Sequence, residues 1–215
     1  GGHWSVTLLA SSRYHPVSTF PFELDRSTRV ASVGHVIVGM AAARLYRRGQ
    51  PTVWSPVTLM TIWGGLSLLP DADVWGFPLG VAYEDPWGHR GATHSLVFAA
   101  AIAVVVGLVA RAAKLSAVRT ALIALVVVGS HGLLDALTDG GLGCALLWPF
   151  SNERFFAPWT PLPVAPIGRG FLSMAGLRIA AVEIGVFLPF LIYAFWPLKQ
   201  QPRPPLPPMP EQPAA

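Results

Sequence analysis

Histidines and aspartates recur in this chain in short clusters at the ends of long apolar runs. They are His35, Pro70-Asp71-Ala72-Asp73, His89-Arg90-Gly91-Ala92-Thr93-His94, His131 with Asp135, and Asp139, followed by Trp148-Pro149-Phe150-Ser151-Asn152. Imidazole nitrogens and carboxylate oxygens together form a donor set for zinc, manganese or iron rather than for a soft-thiolate site. His131 and Asp135 stand four positions apart, so on a helix they share a face and can reach one ion or two adjacent ions. Asp71 and Asp73 follow Pro70, which ends a helix and lets neighbouring carboxylates turn towards one centre. Between His89 and His94, Gly91 permits a tight turn and Arg90 offers paired donors to an anionic oxygen. Each cluster also has a plainer meaning: an interhelical hydrogen-bonded pair at 131 and 135, a solvated helix exit at 70 to 73, interfacial residues at 89 and 90, and a histidine satisfied by a backbone carbonyl at 35. The case for a metal therefore rests on the clusters meeting in one place.

Hydropathy decides what positions them. Hydrophobic residues make up 53% of the 215 and charged residues only 12%, against about 25% charged in soluble domains, and mean hydropathy is +0.51. This composition excludes an ordinary soluble domain and points to an all-α, polytopic membrane helical bundle. The basic pI of about 9.7 then reads as membrane topology rather than nucleic-acid binding, because Lys and Arg sit in short connections between apolar runs. Cys144 stands alone, so no intrachain disulfide is available. About five spans are expected, near residues 30 to 46, 53 to 71, 94 to 110, 119 to 136 and 174 to 196. Arg44, Arg47 and Arg48, then Arg111, Lys114 and Arg119, then Lys199 and Arg203 fall in one set of connections, which should be cytoplasmic. That gives an N-out, C-in topology. Without having been used to draw it, the His and Asp clusters then all fall at the outer end of their spans. Ionisable groups at membrane depth are expensive and usually face a protein interior or a wet cavity where they have a function.

The ordered set of a first-helix His35, Leu69 to Asp73, His89 to Ser95, His131 to Asp135 and Leu147 to Ser151 resembles the YdjM-like bacterial inner-membrane proteins, a family described as membrane-bound metal-dependent hydrolases. The resemblance covers roughly residues 31 to 196. It implies a divalent metal site, hydrolytic activity and residence in the bacterial inner membrane, and it names no substrate. The family label also refers to LexA, a soluble repressor, yet nothing in this chain looks like a surface for binding it.

Four histidines and three or four carboxylates exceed what one tetrahedral zinc needs, so a binuclear site is expected. His35, Asp71, His94, His131 and Asp135 are the first candidates for ligands, with Asp73 and His89 next. Arg90 is the candidate for binding an oxyanion or substrate phosphate, Thr93 and Ser95 for orienting ligands, and Asp139, with Asp73, for carrying or accepting a proton. The aromatic and proline-rich connection 140 to 173 reads as an interfacial anchor or as a lid, with Asn152 and Arg154 meeting a lipid head group. Residues 1 to 29 read as a poorly ordered extension, 30 to 198 as the membrane domain and 199 to 215 as a proline-rich cytoplasmic tail. The leading expectation is a metal-dependent hydrolase of a phosphoester or phospholipid near the periplasmic face, with membrane lipid as a partner, no nucleic acid, and few enough helices for a homodimer. The rivals are a proton- or metal-ion-coupled transporter and a non-catalytic membrane stress or scaffold protein.

Overall fold

A computed structural model describes residues 29–30, 33–48, 52–166 and 172–197. The expected extension, apart from its last residue, and the proline-rich tail lie outside the described residues. Among the described residues six α-helices carry the fold: α1 Val33–Arg47, α2 Pro56–Ser67, α3 Leu96–Ala112, α4 Ala117–Ala136, α5 Met174–Val186 and α6 Leu188–Phe195. A two-residue antiparallel ladder pairs β1, Arg29–Val30, with β2, Ala165–Pro166.

Local chemistry fixes the helix starts. Ser55 caps α2 by accepting from the Thr58 N–H at 3.0 Å, and Pro56 follows at the first helical position, where a missing N–H costs nothing. Ser95 caps α3 through the Phe98 N–H at 3.0 Å and itself donates to the Ala92 carbonyl at 2.8 Å. That pair of hydrogen bonds pins the turn carrying His94 to the helix that follows it.

The expected five spans are not all realised as long helices. Among the described residues only α4, with 20 residues, is long and apolar enough to cross a membrane alone, since about 20 residues rising 1.5 Å each are required. The second expected span stops at Ser67. Pro70 supplies no N–H to continue the α ladder, and i to i+3 bonds take over at Leu68, Leu69, Asp71 and Ala72, leading into a 3₁₀ helix over Pro70–Leu79. The fifth is broken between α5 and α6, which meet at 67°, where Pro189 at the start of α6 again lacks an N–H. The third, α3, is an apolar helix of 17 residues.

Helices α3 and α4 form one hairpin and α1 and α2 another, and α1 also packs on α4 and α6. The core between them is built from Ala43, Tyr46, Leu59, Trp63, Ala103, Ile123, Ala124 and Val127. Small residues let the helices close: a Cβ at Gly39 would overlap the Trp63 carbonyl, and one at Gly132 would overlap the His94 carbonyl. Outward faces stay apolar, with Val104, Leu108, Val126, Phe190 and Ile192 all exposed. A surface of that kind suits lipid rather than water.

Candidate metal centre

Three segments deliver side chains, and a fourth a backbone carbonyl, to one end of the bundle. Helix α4 supplies His131 and Asp135 from adjacent turns of one face, and both are fully buried. The Ser67 carbonyl at the end of α2 lies 2.7 Å from His131 Nδ1. A carbonyl only accepts, so the proton sits on Nδ1 and His131 Nε2 presents a lone pair. The 3₁₀ helix after Pro70 brings in Asp71 and Asp73, and the capped turn Ala92–His94 brings in His94.

These residues form two groups sharing His94. In the first, His131 Nε2 lies 3.3 Å from Asp71 Oδ1 and 3.8 Å from Asp135 Oδ2. His94 Nε2 lies 3.6 Å from Asp71 Oδ1 and 3.3 Å from Asp135 Oδ2. All four atoms are buried and, among the described residues, none has a hydrogen-bond partner. Unpaired buried polar atoms are costly, and here they converge within 4.8 Å of one another. A tetrahedral ion with bonds of about 2.0 to 2.2 Å would separate its ligands by roughly 3.3 to 3.6 Å. The donor set and its spacing fit one divalent cation.

The second group, Asp73, His89 and His94, could also hold an ion by type and proximity, but its atoms already satisfy one another. Asp73 Oδ1 accepts from His89 Nδ1 at 2.7 Å. Its Oδ2 accepts from Thr93 Oγ1 at 2.7 Å and from the Arg90 N–H at 3.3 Å, and lies 3.2 Å from His94 Nδ1. Burial pushes the Asp73 carboxyl up, yet the hydrogen bonds from His89 and His94 outweigh it and hold the group at about 2. Asp73 thus orients the far side of His94, as carboxylates commonly do behind metal-binding histidines.

His35 and Arg90 brace Asp135. His35 Nε2 is 3.2 Å from Asp135 Oδ1, the oxygen turned away from the four-atom cluster, and its ring stacks on His131 at 3.8 Å between centroids. Arg90 Nε lies 3.3 Å from Asp135 Oδ2. Arg90 Nη1 donates to Thr138 Oγ1 at 3.0 Å and to the Gly140 carbonyl at 2.9 Å, while Nη2 has no partner. Burial would lower the Arg90 pKa, but Asp135 outweighs it, so the guanidinium stays charged. Arg90 adopts φ +62°, a left-handed conformation uncommon outside glycine.

Other candidates sit elsewhere. Asp139 is exposed and does not enter the cluster: its Oδ1 accepts from the Val164 N–H at 3.0 Å, tying the long connection to the end of α4. Arg154 does not face outward as a head-group reader. Its guanidinium donates to the carbonyls of His89, Tyr83 and Asp85 at 2.9, 3.0 and 3.1 Å, bracing the loop that carries His89 and Arg90. Ser95 is a helix cap. Cys144 bonds Phe155 through both backbone groups and is fully buried, and burial pushes its thiol up to about 12.

Some contributors left little trace in the sequence. The Ser67 carbonyl is a backbone group with no residue signature. Thr138, three positions after Asp135, bonds the Asp135 carbonyl at 2.7 Å, a spacing that could have flagged it. Glu183 lies buried on α5, and its Oε2 accepts from the Val33 and Gly34 N–H groups at 2.9 and 3.0 Å. It caps the helix that carries His35 from a distant segment, satisfying two of that helix's first N–H groups.

The profile of the YdjM inner membrane protein family matches residues 30–205. The inner membrane protein YbcI of Escherichia coli (strain K12) is 49% identical over 130 residues, covering 59% of this chain and 75% of that protein. No solved structure matches. The chain belongs to the YdjM inner membrane protein family.

Proposed function

We propose that this family member is a multi-pass, metal-dependent hydrolase of the bacterial inner membrane, acting on a phosphoester or phospholipid at the outer, periplasmic end of the bundle. The observation that carries this reading is the convergence of four buried ligand atoms, from Asp71, His94, His131 and Asp135, that have no hydrogen-bond partner among the described residues. One ion rather than two follows from the contrast with Asp73 and His89, whose facing atoms bond each other. Zinc suits the mixed nitrogen and oxygen set, with manganese or iron as alternatives. A divalent cation held there would supply Lewis acidity and make a water molecule easier to deprotonate.

The surrounding residues divide the remaining work. His89 donates from Nδ1 to Asp73, which leaves its partnerless Nε2 as a proton acceptor. Arg90 Nη2, buried and charged, is the donor available to a phosphoryl oxygen. Asp73 and His35 hold His94 and Asp135 in place. All described helices contribute to a bundle read as five spans with the N-terminus outside, the last of them bent at the junction of α5 and α6.

The test combines elemental analysis of the purified protein with a panel of phosphoester and phospholipid substrates, comparing wild type with His131→Ala and Asp71→Asn in detergent. Bound metal and hydrolysis should vanish together in both variants. A folded wild type that stays metal-free and inactive after addition of zinc or manganese would overturn the proposal.

A further inference from the structure

The opposite end of the bundle has the contrary charge. Arg44 lies nine residues after His35 on α1, about 14 Å further along the helix axis. Arg47 and Arg48 follow it, Arg111, Lys114 and Arg119 lie at the α3–α4 connection, where Arg119 Nη2 donates to the Leu45 carbonyl at 2.7 Å, and among the described residues none of these six forms an ion pair. Arg44 is itself 6% exposed, and among the described residues its Nε has no hydrogen-bond partner. Its Nη2 reaches only the Pro197 carbonyl, at 3.5 Å, and its guanidinium lies 5.0 Å from the centre of the Tyr193 ring. A buried, incompletely satisfied cation calls for an anionic partner.

A groove leads to it. Val38, Ala42, Leu45, Val126 and Phe190, with Pro189 and Tyr193, line an apolar groove of about 360 Å³ between α1, α4 and α6. Pro189 and Tyr193 also line the adjoining pocket of about 390 Å³, whose other walls include Arg44, Arg48 and Trp196. Apolar trough and cationic pocket are therefore contiguous. That succession fits one molecule with a hydrocarbon chain and an anionic head.

We infer that this end of the bundle binds one anionic glycerophospholipid, with an acyl chain in the α1, α4 and α6 groove and the phosphate on Arg44 and Arg48. Basic pockets between membrane helices recognise anionic head groups through such contacts. The site is separate from the metal cluster and does not depend on hydrolysis. Tyr193, whose hydroxyl accepts from Arg48 Nη1 at 3.5 Å, offers a further hydrogen bond.

The full-length protein in mild detergent, offered equal amounts of phosphatidylglycerol and phosphatidylcholine with matched chains, tests this by native mass spectrometry. Wild type should retain one phosphatidylglycerol in preference. Arg48→Ala should reduce that preference roughly fivefold, the effect of one cation beside an anionic lipid, while Arg111→Ala, outside the groove, should leave it intact. Ala42→Phe, which fills the groove, should reduce retention of both lipids. Absence of a phosphatidylglycerol preference, or an equal loss in Arg111→Ala, would reduce the site to a diffuse positive surface. Full retention of lipid by Ala42→Phe would overturn the placement of the chain.

Discussion

The two sides of His94 meet carboxylates in opposite ways. On the Nδ1 side, Asp73 takes hydrogen bonds from His89, Thr93 and the Arg90 backbone, and both of its oxygens are used. On the Nε2 side, Asp71 and Asp135 point oxygens at imidazole nitrogens, and no atom of the four is hydrogen-bonded. Residue type, burial and spacing hardly distinguish the two groups. Hydrogen-bond saturation does: a closed set braces, and an open set of convergent lone pairs needs a cation.

Substitutions on each side should separate these roles. The largest effect is expected for Asp135→Ala, which removes a ligand and strips fully buried Arg90 of its carboxylate. Breaking a buried pair in this way costs about 3 to 5 kcal/mol, and thermal unfolding in detergent should register it together with complete metal loss. Asp71→Asn should abolish metal binding while leaving the unfolding midpoint of the metal-free protein near that of wild type, because Asp71 is 14% exposed and pairs with no buried cation other than histidine. Asp73→Asn, on the closed side, should retain metal but weaken it by about 10- to 100-fold, the usual penalty for losing an orienting carboxylate. Competition with a chromophoric chelator measures all three, and equal loss from Asp71→Asn and Asp73→Asn would erase the distinction between the sides. The smallest effect concerns acid. Asp73 has its folded pKa depressed to about 2 from the ordinary 3.8, so its contribution to stability is complete above the unfolded value and disappears as pH falls through about 2. Acid titration of Asp73→Asn against wild type, both metal-free, should show wild type losing its extra stability only in that window.

Which side chains meet was legible in the sequence for all the candidates but Asp139; what each one does was not. His131 and Asp135 at helical spacing, and clusters repeated at corresponding ends of apolar runs, are one-dimensional signals of proximity. The assignment of Asp73 and Asp71 to different tasks depends on which way a 3₁₀ turn aims two carboxylates two residues apart, and spacing alone does not carry that. Arg154 reads as an outward-facing cation until three carbonyls of the 83 to 89 loop are seen around it. Glu183 stands out in an apolar run, but its use as a cap follows only from α5 lying against the start of α1. Hydropathy placed the apolar segments well and overestimated helix length, because Pro70 and Pro189 break the ladder inside runs that remain uniformly hydrophobic.

Gly132 has no chemistry of its own, yet a side chain there would overlap the His94 carbonyl, on the turn that faces His131. In a saturation library selected for function, position 132 should tolerate glycine alone, as strictly as the ligands themselves. A search for functional positions by variation across many such sequences would then return this glycine among the histidines and aspartates, as a record of how closely two backbones must approach.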